Sequence, residues 1–346
     1  MRFFVTGCAG FIGFHVAARL LSAGHQVTGY DGMTAYYDVD LKKARLGRLE
    51  RYANFECTEA MLGDREALDA AYRKSEAQVV IHLAAQAGVR YALEAPEAYT
   101  QSNVIGTFNL LEALRVKAPE HLLFASTSSV YGGNTKIPFA EADRTDFPVS
   151  LYAATKKCGE AMCHTYAHLF GIPTTAFRFF TVYGPWGRPD MALFKFVRAI
   201  DCGDAIEVYG GGKMQRDFTY IDDLVDAVVA LVDIVPGREY AAECDSLSPV
   251  APFRTINVGG GNPVGLMDFI GAIETVMGCQ AKKVLLGMQP GDVVHTHADP
   301  ALLTSLVGKR PGTSLLEGVS RFADWYREYY RLPQPASVDT GGARHG

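Results

Sequence analysis

The chain has 346 residues, 48% of them hydrophobic and 21% charged, with 35 glycines and a formal net charge of −5. That composition suits one large globular domain or two modest ones, and an acidic balance without a long basic cluster excludes the electrostatic footprint of a nucleic-acid partner. Seven cysteines in no CxxC spacing, with no His-rich tract, argue for reduced thiols and against a metal site.

Met1-Arg2 leads straight into Phe3-Phe4-Val5 and a glycine turn, which is not the pattern of a secretory signal. The strongest apolar stretch, Leu224 to Val235, is interrupted by Asp226 and Asp233 and is too short to cross a bilayer. A cytoplasmic protein with no membrane partner is expected.

In chain order, apolar strand-like runs alternate with amphipathic helical ones: Arg2 to Thr6, Ile12 to Ala23, Gln26 to Asp31, Arg65 to Arg73, Val79 to Leu83, and a helix through Asn103 to Leu114. Leu122 to Ser126 continues the strands. Ser150 can cap a helix ending near Phe170, with Gly171 and Pro173 as stop signals, and Thr174 to Phe180 follows as a strand. The alternation predicts an α/β fold with a Rossmann-type, doubly wound parallel sheet.

After Tyr183 the pattern loosens through Gly184-Pro185-Trp186-Gly187-Arg188-Pro189, a helix from Met191 to about Cys202, and Tyr209-Gly210-Gly211-Gly212. Phe218 to Val232 and Arg254 to Val258 read as a strand-helix return to the large sheet. The expected division is therefore a cofactor-binding domain over 1–181 with returns near 216–235 and 254–260. A smaller, interleaved α/β substrate-binding domain covers 182–215 and 236–332, and 333–346 reads as a disordered tail.

Gly7, Gly10 and Gly13 stand between a strand and a helix opening near Phe11 and Ile12, where helix amides and dipole face a diphosphate that only glycine lets approach closely. Asp31 closes the second strand about 20 residues on, where a carboxylate accepts from ribose hydroxyls and repels a 2′-phosphate; NAD is favoured over NADP. Asp64 can meet the adenine edge or cap the helix that follows it.

Tyr152 and Lys156 are spaced to share one helix face. A free phenol has a pKa near ~10, and a nearby ammonium, the nicotinamide ring and a helix N-terminus all favour phenolate. Such a base can take a proton from a sugar hydroxyl while the carbon-bound hydrogen leaves for NAD.

His82-Leu83-Ala84-Ala85-Gln86, Ser126-Thr127-Ser128-Ser129-Val130-Tyr131-Gly132 and Tyr152-Ala153-Ala154-Thr155-Lys156 follow the glycine turn in order. In this the chain resembles the extended short-chain dehydrogenase/reductases, to about Tyr330. Tyr36-Tyr37-Asp38, Leu41-Lys42-Lys43-Ala44-Arg45-Leu46, Arg178 through Met191 and Lys213 through Asp223 make it most similar to the NAD-dependent UDP-glucuronate 4-epimerases.

That resemblance implies an isomerase of nucleotide-sugar metabolism. It places NAD on Gly7, Gly10, Phe11, Ile12, Gly13, Asp31, Asp64, Leu83, Ala84, Ala85 and Lys156. Thr127 joins Tyr152 and Lys156 as the third member of the proton-transfer set. Relatives that dehydrate carry an Asp-Glu pair at the positions of Ser128 and Ser129, and those that decarboxylate uronates a Glu at the second; two neutral hydroxyls cannot act as a strong acid and base.

Thr127, Ser128, Ser129 and Thr181 can hold a sugar carboxylate, with Arg188 ordering the network or adding charge. Arg216 is the candidate for the UDP diphosphate, Tyr209 for the uracil and Asp292 for the uridine ribose. Where relatives read Pro-Glu-Thr after that Asp, this chain has Val294-His295-Thr296. The resemblance also implies a homodimer through Tyr99 to Arg115 and Leu151 to Phe170. A UDP-hexose 4-epimerase, a UDP-glucuronate decarboxylase and a non-catalytic NAD-responsive regulator stay open.

Overall fold

The computed structural model describes residues 1–237, 245–289 and 291–330. The tail expected over 333–346, Cys244 and Pro290 lie outside the described residues.

Seven parallel strands form the large sheet: β1 (Arg2–Thr6), β2 (Gln26–Asp31), β3 (Phe55–Glu59), β4 (Val79–His82), β5 (His121–Thr127), β6 (Thr174–Phe179) and, far along the chain, a strand at Phe253–Val258. Three further strands fall between them: β7 (Thr181–Tyr183), β8 (Ala205–Val208) and β9 (Gln215–Tyr220). The strand at Phe253–Val258 is thus β10; β11 (Pro263–Gly265) and β12 (Lys282–Leu285) follow.

The order in the large sheet is β10-β6-β5-β4-β1-β2-β3. Its direction of winding reverses between β1 and β4, so helices leave to opposite sides there and a crevice opens at the carboxyl ends of the strands. The central strands are buried along their length, as in Phe3 to Thr6 and His121 to Thr127, because helices cover both faces.

The helices are α1 (Phe11–Ser22), α2 (Val39–Leu49), α3 (Arg65–Ser75), α4 (Pro96–Tyr99), α5 (Gly106–Val116), α6 (Leu151–Phe170), α7 (Ala192–Cys202), α8 (Ile221–Ala230), α9 (Leu266–Met277), α10 (Ala301–Val307) and α11 (Leu315–Tyr330). A π-helical stretch, Thr100–Ile105, joins α4 to α5. α6 begins where the Ser150 hydroxyl accepts from the Ala153 amide at 3.1 Å and ends at Gly171, whose φ of 64° suits glycine.

One expectation is corrected. Gln215–Tyr220 does not rejoin the large sheet; it lies between β11 and β7 in a three-stranded sheet, and only β10 returns to the large one. The helix after it, α8, does pack back on α1. A strand followed directly by a helix reads as a βα unit, but its partners, each three residues long, are set by tertiary structure. Two elements of the first half, α2 and β3, were also not among the predicted elements: α2 is rich in charge and β3 is a half-buried edge strand.

Among the described residues no helix is long and apolar enough to cross a membrane, no group of metal-ligating side chains gathers, and six cysteines are free.

Candidate active site

The crevice is a cavity of about 690 Å³. At one end the chain turns from β1 into α1. Gly7 has a φ of 76°, and a Cβ on Gly13 would lie 2.0 Å from the Gly7 carbonyl oxygen, so the turn closes only with glycine at both positions. No side chain caps α1, which leaves its first amides free for an anion.

Asp31 ends β2 with Oδ2 accepting from the Ala9 amide and Oδ1 from the Met33 amide, both at 2.9 Å. Each oxygen keeps a lone pair for a ribose hydroxyl. Gly7, Gly10, Phe11, Ile12, Gly13, Asp31, Leu83, Ala84, Ala85 and Lys156 all line the cavity. Asp64 does not: it caps α3 by accepting from the Ala67 amide at 3.1 Å, the second of its two readings.

Tyr152, in the first turn of α6, faces the same cavity as Thr127 and Lys156. Enclosure pushes its phenol above its ordinary value, opposed by a hydrogen bond with Thr127 and by the charge of Arg188. This differs from the expectation that Lys156 draws the phenol down. The Lys156 ammonium instead packs 4.5 Å from the centroid of the Phe124 ring, and burial lowers its pKa to about 8.

Two polar networks fix the frame. Glu160, one turn beyond Lys156, accepts from Arg178 Nε and Nη2 at 3.0 and 3.1 Å and from the Ser126 hydroxyl at 2.6 Å, which ties α6 to β5 and β6. Asn103, inside the π-helical stretch, receives the Gln86 amide at 2.8 Å and donates to Thr155 at 3.0 Å.

Ser128, Ser129, Thr181 and Arg188 also line the cavity. Thr127 Oγ1 donates to Ser129 Oγ and accepts from the Ser129 amide, both at 3.2 Å, as the strand turns into a short 3₁₀ helix. Arg188 grips Asp190 with Nε and Nη2 at 3.0 and 2.5 Å, and Tyr36 donates to the same carboxylate at 3.0 Å. Burial alone would raise the Asp190 carboxyl; its pair with Arg188 outweighs that and holds it low.

Tyr209, Arg216 and Asp292 are not part of the cavity wall. They gather beside it around Arg90, which follows the wall residues Gly88 and Val89. Arg90 donates to Asp292 at 2.8 Å, and its guanidinium lies 4.2 Å from the Tyr209 ring centroid. Burial lowers the Arg216 pKa, with Arg90 adding to the effect and Asp292 opposing it. His295 is exposed, in a bridge beside Gln215.

The profile of the NAD dependent epimerase/dehydratase family matches residues 3–241. The chain belongs to that family. It is 58% identical over 335 residues to the probable UDP-glucuronate 4-epimerase of Rhizobium meliloti (strain 1021), covering 96% of this chain and 98% of that protein. It is 44% identical to UDP-glucuronate 4-epimerase 3 of Arabidopsis thaliana over 331 residues, 94% of this chain and 76% of the relative.

Among solved structures, the UDP-glucuronic acid 4-epimerase of Bacillus cereus, in complex with UDP-glucuronic acid and NAD, superposes with a TM-score of 0.84 at 32% identity. The match covers 95% of this chain and all of that one. The donor set here fits the family's cofactor: open helix amides, a glycine cradle that a Cβ would fill, and a strand-end carboxylate.

Within this epimerase/dehydratase frame, sequence reasoning missed Tyr36, Arg90, Asn103, Glu160 and Asp190. Asn103 closes the polar run Thr100-Gln101-Ser102-Asn103, which does not single it out. Asp190 pairs with Arg188 two residues away, and Tyr36, Arg90 and Glu160 act chiefly through partners remote in sequence.

Proposed function

We propose that the protein is an NAD-dependent UDP-glucuronate 4-epimerase, an isomerase that interconverts UDP-glucuronate and UDP-galacturonate through a transient 4-ketone. One observation carries the reading. Thr127, Ser128, Ser129, Thr181 and Arg188 share the cavity with Tyr152, so neutral donors and one oriented guanidinium surround the sugar end where relatives that eliminate or decarboxylate carry acids.

Bound NAD supplies a reversible acceptor for the electron pair of the C4–H bond. Thr127 and Tyr152 hold O4, and Tyr152 accepts its proton. Lys156 faces the nicotinamide ribose and contributes charge to the site. The hydroxyls and Arg188 keep the carboxylate still while the carbonyl exists, because a β-keto acid loses CO₂ easily. Among the described residues no side-chain acid lines the cavity beside Thr127 and Tyr152 to drive elimination, so once the sugar presents its other face C4 takes back its hydrogen with the electron pair and Tyr152 returns the proton to O4.

Arg216, Tyr209 and Asp292, with Arg90, anchor the uridine diphosphate during that turn. Residues 1–181, closed by β10, serve the cofactor; 182–215 and 236–332 serve the UDP-sugar, and 216–235 supplies a strand to the latter and a helix to the former. The protein works as a cytoplasmic homodimer, pairing the exposed apolar side chains Ile105 and Phe108 with Leu151, Leu169 and Phe170. Its product is an activated uronate donor for polysaccharide biosynthesis.

Separate incubations with UDP-glucuronate and UDP-glucose, resolved by NMR, test the reading. UDP-galacturonate from the first is expected. Exclusive turnover of the neutral sugar, or a UDP-pentose with CO₂, would sink it.

A further inference from the structure

Arg188 does not reach the cavity as a free cation. Its Nε and Nη2 both bind Asp190, and among the described residues its Nη1 makes no hydrogen bond, so that edge is left to a ligand. Tyr36, itself part of the cavity wall, donates to Asp190 Oδ2 at 3.0 Å and fixes the carboxylate from 154 residues away in the chain.

The loop that carries the pair is anchored by the same segment of chain. Arg45 is fully buried and donates to the Trp186 carbonyl at 2.6 Å, the Gly187 carbonyl at 3.3 Å, the Ala9 carbonyl at 3.0 Å and the Tyr37 hydroxyl at 2.8 Å. Trp186 is held at a φ of 60°, a left-handed conformation that a bulky residue keeps only when its surroundings fix it. Residues 36–45 thus set both the backbone entering Arg188 and the carboxylate that orients its side chain.

The chemistry gives this arrangement a purpose, which rests on the reading of UDP-glucuronate as substrate. Oxidation at C4 makes a β-keto acid. If the C5–C6 bond breaks, its electron pair passes into an enolate over C5, C4 and O4, CO₂ departs, and C5 takes up a proton. An unmasked cation near O4 stabilises that enolate and so favours the loss. Arg188 and Tyr152 line the same cavity, and the Arg188 charge opposes the rise that burial imposes on the phenol.

We propose that Tyr36 and Asp190 are positioning residues that present Arg188 to the sugar carboxylate as an oriented donor whose charge Asp190 partly offsets, and thereby keep the 4-ketone from losing CO₂. The guanidinium N–H groups still grip the carboxylate; the positive field that would reward decarboxylation is reduced by Asp190, although the Tyr152 phenol still feels part of it.

The test uses NAD-loaded enzyme, Asp190→Asn and Tyr36→Phe, the latter removing only a hydroxyl. With UDP-glucuronate labelled at C6, the fraction of turnovers that release CO₂ rises about tenfold in both variants, the rate change that follows from removing one well-placed electrostatic contact. A second reading needs no substrate: the Tyr152 titration, followed by NMR of ring-labelled tyrosine and assigned with Tyr152→Phe.

Tyr152 is faced by Thr127 from β5, by Tyr99, 6.2 Å away between ring centroids, and by Arg188, while Lys156 of its own helix lines the same cavity with its ammonium over the Phe124 ring. Unmasking Arg188 in Asp190→Asn lowers the Tyr152 midpoint by about one pH unit. A CO₂ fraction that stays at the parent value in both variants, or an unmoved midpoint in Asp190→Asn, overturns the proposal. A parent enzyme inert toward UDP-glucuronate overturns the substrate reading instead, and the midpoint still decides whether Asp190 masks Arg188.

Discussion

Arg90 and Asp292 stand 202 residues apart in the chain and form a 2.8 Å ion pair. Arg90 also stacks over Tyr209, and its charge reaches Arg216. Three side chains that the sequence could propose only one by one for the uridine diphosphate are joined by a fourth, carried on the segment that continues from the cavity wall.

Removal of Arg90 therefore weakens binding of the nucleotide more than it slows chemistry. Arg90→Ala is expected to raise KM for the UDP-sugar about 10- to 100-fold, the equivalent of about 1.4–2.8 kcal/mol, with kcat changed far less. Steady-state kinetics checks this; a loss confined to kcat would place Arg90 at the reacting end instead.

Lys156 supplies the pH-dependent prediction. Its pKa in the folded chain is about 8, below the ordinary value of 10.5 for a lysine. Between those values the unfolded chain binds the extra proton, so stability rises with pH across the window; the penalty is complete below about pH 8 and gone above about 10.5. Lys156→Met is expected to stabilise the cofactor-free protein by about 2–3 kcal/mol at pH 7 and to have little effect near pH 11, while abolishing turnover. Denaturant unfolding at the two pH values checks it. Equal effects at both would show that packing over Phe124, rather than charge, decides the cost.

Gly13 tests the cofactor cradle. A methyl group there meets the Gly7 carbonyl oxygen at 2.0 Å, a backbone atom that cannot swing away. Gly13→Ala is expected to destabilise the fold by about 1–3 kcal/mol and to be purified without NAD. Retention of stoichiometric NAD, measured by absorbance after denaturation, would contradict the geometry.

What could be read from the sequence follows the range of the interactions involved. The glycine turn, the Ser150 cap and Gly171 stop of α6, and the Tyr152 to Lys156 spacing are local, and the structure has them where the chain pattern placed them. The buried strands of the parallel sheet were legible because both faces are covered and the runs are almost unbroken in apolar character. By contrast, the partner of β9 depends on Pro263–Gly265, too short to signal a strand, and the Tyr36–Asp190 and Arg90–Asp292 contacts join residues that only the folded chain brings together.

The electrostatics of Tyr152 and Lys156 lay beyond the sequence for the same reason. Helical spacing puts Tyr152 and Lys156 on one face, but not which cation the phenol feels. Phe124 takes the ammonium, and Arg188, reached through the loop after β7, faces the phenol.

The central claim is that C4 is inverted by removal and return of its own hydrogen, with Tyr152 handling the proton on O4. UDP-glucuronate carrying deuterium at C4, incubated in ordinary water and followed by NMR, tests it most directly. The account predicts UDP-galacturonate with the deuterium still at C4, and no product from Tyr152→Phe although that variant keeps its NAD. Loss of the C4 deuterium to solvent, or undiminished turnover by Tyr152→Phe, would contradict it.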